Sequence, residues 1–348
     1  MKATKSNSAK GGKLIVWIAA GAVVLAACAL FLSVGRAFYD RRVPNFKGVL
    51  DLYVYPGETV ADVQARILES PQLRRKGSIR RCLAGTGEIR PGHYRVDGTC
   101  SSMYVARMLR AGWQTPVSLT LSGTIRNREA LARKIGSQML ADSASVMAFL
   151  SVEDSVKACG VTSARQLFSF IIPDTYEIVW TATPGEILRR LVAERNAWWN
   201  KERRAAAAKQ GLSTLEVSAL ASIVAGESQY VPEQPKIAGV YLNRLRKGMK
   251  LQADPTVAYC FNYEVKRILH SHLEVDSPYN TYKYAGLPPG PIQCPPKSCL
   301  EAVLHPDTHS YLYFCADPSF NGSHRFASSY EDHLANGRAY REALSKRK

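Results

Sequence analysis

Glu227 closes the run STLEVSALASIVAGE, and an acid at that point of an apolar segment is a candidate proton donor. Ser213 and Glu216 have the S-x-x-E spacing of a capping box, so a helix is expected to begin there. Counting back from Glu227 at helical intervals reaches Val224, Ile223 and Leu220, an apolar stripe. A carboxyl on that stripe is partly desolvated and sits at the negative end of the helix dipole. Both effects favour its protonated form, as general acid chemistry near neutral pH requires. The plain alternative is a solvated acid at a helix end.

Downstream segments offer polar and aromatic groups that could line a cleft. Asn243 beside Arg244 in "NRL" is a candidate ligand contact, which the resemblance given below would make a saccharide contact, or a buried polar cap. Gln252, Asp254 and Thr256 share a turn whose Asp-Pro step alone is a structural reason for them. They are read as lining a cleft. Tyr279, Asn280, Thr281 and Tyr282 mix aromatic faces with amide and hydroxyl groups, a set that suits a polar ring ligand such as the sugar implied by the resemblance below, or else form a tyrosine-anchored loop. Asp174 in "PDTY" and Glu233 in "PEQPK" are candidate supporting acids.

These residues require a scaffold, and the chain of 348 residues with 46% hydrophobic content is ample for two domains. Its net charge of +17 points to anionic partners. No RRM-type, zinc-finger or P-loop pattern accompanies that charge, so nucleic acid is not expected. Residues 14–34, LIVWIAAGAVVLAACALFLSV, form an uncharged apolar run. At the helical rise it spans about 31 Å, enough for a bilayer core. Lys2, Lys5, Lys10 and Lys13 precede it without an acid and favour a cytoplasmic N-terminus. Arg36, Arg41, Arg42 and Lys47 crowd the other side and weaken that vote. "LAAC" ending at Cys28 also has the form of a lipoprotein cleavage box, but the run stays apolar beyond the cysteine, so an anchor is the preferred reading.

Eight cysteines fit an oxidising compartment. Cys82 with Cys100, and Cys294 with Cys299, are candidate disulfides; zinc is disfavoured at the second pair, which lacks C-x-x-C spacing. His270 and His272 read as loop residues.

The pattern beyond the anchor is α+β. A strand at LDLYV and a helix carrying Val60, Val63 and Ile67 are followed by a strand near His93–Val96 and a helix with Val105, Met108 and Leu109. Farther on, a strand is expected in VSLTLSG and helices at IRNREALARKIGSQM and from Val146 to Leu167. IIPDTYEIVW reads as an extended segment, and one long helix is expected from Pro184 to about Lys209. After the helix of Glu227, another carries Ile237, Val240, Tyr241 and Leu245. Much of 250–297 reads as loop, SCLEAVL as a helix capped through S-x-x-E, SYLYFCAD as a strand, and SSYEDHLANGRAYREAL as a closing helix.

The ordered string PGHYRV, IIPDTYEI, LASIVAGES, PKIAGVYLNRLRKGMKLQADPTV, YNTYKYAGLPPGPI, LEAVLHP, SYLYFCAD and GSHRF resembles the YceG-like, or MltG-like, endolytic murein transglycosylases over roughly residues 50–340. The resemblance implies a cytoplasmic tail (1–13), a transmembrane helix (14–35), a linker and LysM-like module (36–115) and a mixed α+β catalytic domain with a deep cleft (116–348). It implies an inner-membrane, single-pass protein with its catalytic domain in the periplasm. The implied activity is internal cleavage of nascent peptidoglycan strands to leave 1,6-anhydro-MurNAc ends, beside the peptidoglycan synthases and without metal or cofactor. Glu227 matches the family's catalytic glutamate, the second acid of an E-x-E box whose first acid is Ala225 here. One carboxyl suffices in principle: the sugar's C6 hydroxyl attacks C1 intramolecularly, so no second acid is needed to activate water. A water-using muramidase and a non-catalytic peptidoglycan-binding scaffold are the alternatives.

Overall fold

The computed structural model describes the backbone of residues 8–347. Of the expected tail, residues 1–7 with Lys2 and Lys5 lie outside the described residues, as do the side chains of Lys10 and Lys13. The chain divides into two compact units.

The first unit runs to Val117 and includes Val179–Thr181. It opens with α1 (Ser8–Arg42), followed by β1 (Leu50–Val54), α2 (Val60–Glu69), α3 (Lys76–Ala84), β2 (Gly92–Val96) and α4 (Ser102–Ala111). Within α1 the stretch Ile15–Arg42 contains an 18-residue window of mean hydropathy 2.7 with none of it buried, and among the described residues it is the helix long and apolar enough to cross a membrane. Cys28 lies exposed along it. The two strands pair antiparallel, Leu50 opposite Val96 and Val54 opposite Gly92. Their inward side chains, Leu52, Val54, Tyr94 and Val96, pack with Val63, Ile67, Ile79, Leu83, Val105 and Leu109. Thr59 and Asp62 form a capping box at the start of α2. Helix α3 adds an element beyond the expected strands and helices, with Ile79, Cys82 and Leu83 spaced along one buried face.

The second unit contains β3 (Val117–Thr120), of which Val117 belongs to the first, then α5 (Arg128–Gly136), α6 (Ser143–Ser151), α7 (Glu153–Lys157), β4 (Thr175–Ile178), α8 (Pro184–Trp198) and α9 (Lys201–Lys209). There follow α10 (Thr214–Glu227), α11 (Gln234–Arg246), α12 (Asp254–Cys260), α13 (Lys297–Leu304), β5 (Tyr313–Ala316), β6 (His324–Ala327) and α14 (Tyr330–Ser345). Strand β3 pairs with β4, and β5 pairs antiparallel with β6.

Four expectations are corrected here. The helical segment 146–167 is interrupted: Gly160 adopts φ +91°, which ends helical winding, and a 3₁₀ turn covers Ala164–Phe170. The long helix 184–209 breaks at Trp199 and Asn200. Trp199 is buried with ψ 70°, outside the helical region, and Asn200 caps α9 by accepting the Arg203 N–H at 2.9 Å. In SCLEAVL the helix starts at Lys297 after Pro296, so Ser298 lies inside it and makes no cap, while Glu301 pairs with Arg203 at 2.8 Å. The candidate disulfides do not form: Cys82, Cys100, Cys294 and Cys299 are all buried free thiols. Cys100 Sγ donates to Asp97 and Cys294 Sγ to the Ile171 carbonyl at 3.2 Å, so these sulfurs have separate partners. Burial pushes the Cys82 thiol up to about 11 and the Cys299 thiol up to about 12, which keeps them unreactive.

Helix α10 is the axis of the second unit. The sequence suggests one apolar stripe, but every residue from Val217 to Ala225 is buried, the pattern of a helix enclosed on all sides. Its neighbours are α11 and α13, which supply Ile237, Ala238, Tyr241, Leu300 and Val303. Two serines fit this apolar setting because their hydroxyls are used: Ser218 donates to Thr214 O, and Ser222 donates to Ala219 O while accepting the Ile292 N–H at 3.0 Å.

Candidate active site

The box that starts α10 is made as expected. The Glu216 N–H reaches Ser213 Oγ at 3.2 Å, and the Ser213 N–H reaches Glu216 Oε2 at 2.7 Å. From that fixed start the helix delivers Glu227 as its last residue, and the Ser228 N–H caps Val224 O at 3.1 Å.

Glu227 borders a pocket of about 280 Å³ with Tyr241 and Arg244 from α11, Gln252, Asp254, Tyr282, and Tyr313 and His333 from the C-terminal elements. Tyr241, itself buried, donates its hydroxyl to Glu227 Oε1 at 2.6 Å. That bond leaves Oε2 as the oxygen available for proton exchange. Burial raises the Glu227 pKa to about 7. The Tyr241 hydrogen bond and the Arg244 cation pull it down, and the Asp254 charge pushes it up. Desolvation wins, so the carboxyl holds its proton to higher pH than a solvated acid would.

Arg244 fixes the pocket floor. Its guanidinium donates to Leu312 O at 2.7 Å, Leu251 O at 2.8 Å, Lys250 O at 3.1 Å and Gln252 Oε1 at 3.2 Å, and it lies over the Tyr313 ring at 5.1 Å. Gln252 has φ +52°, a left-handed conformation that costs a non-glycine residue energy, and its N–H is held by Thr281 O. Tyr282 donates its hydroxyl to Asp254 Oδ1 at 2.6 Å, which orients that carboxylate beside Glu227.

Of the residues singled out in the sequence, Glu227, Gln252, Asp254 and Tyr282 line this pocket. The others do not. Thr256, Asn280 and Thr281 are buried, and their polar atoms are used internally. Thr256 and Thr281 share a hydroxyl bond at 2.8 Å, Thr281 Oγ1 accepts the Ala253 N–H, and Asn280 donates to Leu273 O and Val275 O. They hold the loop from which Tyr282 projects. Tyr279 is buried against Tyr259, with ring centroids 4.5 Å apart. Asn243 donates to His309 O at 2.8 Å and Tyr311 O at 3.1 Å, which ties α11 to the segment before β5. Glu233 accepts from the His324 N–H and ring, and Asp174 pairs with Lys297.

Tyr241 was the main omission: its helical spacing placed it among core residues. A buried tyrosine must satisfy its hydroxyl, and that requirement was the available signal. Tyr313 and His333, which stack at 5.3 Å, come from the last strand pair and helix and had no local signature.

Two predictions follow from this geometry. With protonated Glu227 as the acid, turnover should fall as pH rises through about 7. Tyr241→Phe removes an interaction favouring the charged form, so the alkaline limb should move up by about one pH unit; a pH–rate profile of both proteins reads this. Gly226 explains the small residue beside the acid: a Cβ there would stand 2.7 Å from Pro255 Cβ and 2.9 Å from its Cγ. Gly226→Ala should displace the start of α12 with Asp254, at about 1–3 kcal/mol of stability. A misplacement on the order of 1 Å should lower turnover by up to about 100-fold, as thermal melts and rate assays together would show.

The family model described as YceG-like family matches residues 52–339, well over half of the chain. An endolytic murein transglycosylase of Bacillus subtilis (strain 168) is 38% identical over 171 residues, covering 48% of this chain and 46% of the relative. A protein of the same name from Streptococcus pneumoniae serotype 2 is 29% identical over 206 residues, covering 58% and 36%. The chain thus matches less than half the length of these curated relatives. A yceG-like protein from Listeria monocytogenes has a similar fold, with TM-score 0.55 at 24% identity over 83% of this chain and 99% of that one. By the extent of the family match, the chain belongs to the YceG-like family.

Proposed function

We propose that this protein is a membrane-anchored endolytic lytic transglycosylase that cleaves the MurNAc–GlcNAc β-1,4 bond of nascent peptidoglycan, with Glu227 as its single general acid/base. The observation that carries the reading is the Glu227 carboxyl, desolvated in the pocket, with one oxygen held by Tyr241 and a pKa of about 7. The names of the relatives from Bacillus subtilis and Streptococcus pneumoniae supply the reaction class.

The chemistry runs through Oε2. The protonated carboxyl gives its proton to the glycosidic oxygen as the C1–O bond breaks and positive charge grows at C1. The resulting carboxylate takes the proton of the same sugar's C6 hydroxyl as that oxygen bonds to C1, which closes the 1,6-anhydro ring and restores the acid. No water is consumed. The tether supplies the effective concentration that a second carboxylate would otherwise help a water to achieve. Asp254, fixed by Tyr282, places a negative charge near the developing cation.

The wider reading follows the resemblance. Residues 14–35 span the inner membrane with a cytoplasmic tail at 1–13. Residues 36–115 form a LysM-like glycan-binding module, and 116–348 form a periplasmic catalytic domain whose cleft lies at Glu227, beside peptidoglycan synthases. Asp254 favours one second reading, a muramidase in which that carboxylate activates water.

Incubating the purified full chain with isolated sacculi tests enzyme against scaffold. Soluble muropeptides should accumulate with time; glycan binding without release would refute the enzymatic reading.

A further inference from the structure

Where α1 leaves its apolar run, the first unit has a cavity of about 620 Å³ between α1 and α3. Phe31, Leu32 and Arg36 line it from α1, and Arg75 and Arg81 from the start and body of α3. The helix continues unbroken past Val34 to Arg42. At the helical rise, Arg36 stands about 3 Å and Asp40 about 9 Å beyond the apolar run. A bilayer's headgroup layer is on the order of 5–8 Å thick on each side, so the cavity spans the hydrocarbon edge and the headgroup level.

The junction there is firmly built. Asp40 is buried and accepts two bonds from Arg81, at 2.8 and 3.0 Å, and one from Ser78. Ser102 Oγ accepts from Ser78 Oγ at 2.8 Å and from Asn45 Nδ2 at 2.8 Å. Asn45 Oδ1 accepts from Arg75, whose guanidinium also donates to Pro44 O at 3.0 Å and lies over Tyr39 at 5.1 Å. This network clamps α3 to the end of α1. It neutralises one of the three arginines and leaves an excess of positive charge beside the apolar Phe31 and Leu32.

We infer that the cavity between α1 and α3 binds an anionic glycerophospholipid, its phosphate among Arg36, Arg75 and Arg81 and its acyl chain against Phe31 and Leu32. Charge and polarity change along the wall as they do along such a lipid. A bound lipid would fix the height of the first unit above the bilayer. This inference rests on the membrane-anchor reading and is independent of Glu227.

The test uses the full chain in phosphatidylcholine nanodiscs containing a minority of phosphatidylglycerol, with lipid retained after mild extraction measured by native mass spectrometry. Phosphatidylglycerol should be retained above its share of the disc. Arg36→Gln should reduce that enrichment about fivefold, the effect of one basic residue at an anionic surface. Gly77→Leu should abolish it by filling the cavity. Gly77 does not have a positive φ, and its Cβ would meet only the flexible Arg81 Nη1 at 3.4 Å, so the variant should fold. Retention without preference, equal enrichment in both variants, or a prenyl pyrophosphate in place of the phospholipid would overturn the inference. Alkaline carbonate extraction separates the two claims: release of the chain from membranes would overturn the anchor reading and the lipid site together, whereas failure with the chain still in the membrane would overturn the lipid site alone.

Discussion

Glu227→Gln should reduce muropeptide release by at least about 10³-fold while the protein remains folded, because the amide has no acidic proton to give to the glycosidic oxygen. Glutamine keeps the shape and accepts the Tyr241 hydrogen bond, now at 2.6 Å to Oε1, so a folding defect is not expected. The variant should instead be more stable than the native protein at neutral and alkaline pH. The folded-state pKa of Glu227 is raised from 4.5 to about 7. The folded protein therefore holds this proton more tightly than the unfolded chain does, and the associated stability is full below about pH 4.5 and lost as pH rises through 7. At 1.36 kcal/mol per unit, the loss is on the order of 3 kcal/mol. Thermal melts across pH 4–8 should fall in the native protein relative to the Gln variant, which lacks this titration. Residual cleavage within tenfold of native would remove Glu227 from its role.

Arg244→Met should cost about 3 kcal/mol and lower the Tm by about 6–12 °C. Methionine replaces the volume but leaves Leu312 O, Lys250 O, Leu251 O and Gln252 Oε1 without their donor. These acceptors belong to different segments, so the loss should loosen the strained turn at Gln252 and with it Asp254. Turnover should fall at least tenfold. Arg244→Lys should rescue little, since one ammonium cannot reach four acceptors in the geometry of a planar guanidinium. Removing the cation should also shift the alkaline limb of the pH–rate profile upward, because Arg244 favours ionised Glu227. An unchanged Tm would show that these hydrogen bonds contribute little.

Sequence periodicity located Glu227 because local rules suffice there: a capping box sets the start of α10, apolar spacing sets its length, and the acid falls at its end. The same rules gave the two strands of the first unit, though not their antiparallel pairing, and the helix carrying Tyr241. They failed where a side chain's role depends on distant backbone. Asn243 looks like a sugar contact until its amide is seen to bind carbonyls more than sixty residues away. Thr256, Asn280 and Thr281 likewise spend their polar atoms on one another and on the loop. His333 and Tyr313 reach the pocket only through the tertiary placement of α14 and β5. The break at Trp199 has a local cap in Asn200, but the alanine-rich sequence after it masked that signal. Ala225 is buried against the core, and Asp254 is the neighbouring carboxylate that raises the Glu227 pKa.

The central claim is that one carboxyl serves because the sugar supplies its own nucleophile. Digestion of peptidoglycan in H₂¹⁸O, followed by mass spectrometry of the new glycan ends, tests it directly. The account predicts ends lighter than the hydrolytic product by one water and free of ¹⁸O; ¹⁸O at the new reducing end would contradict it and assign the reaction to water.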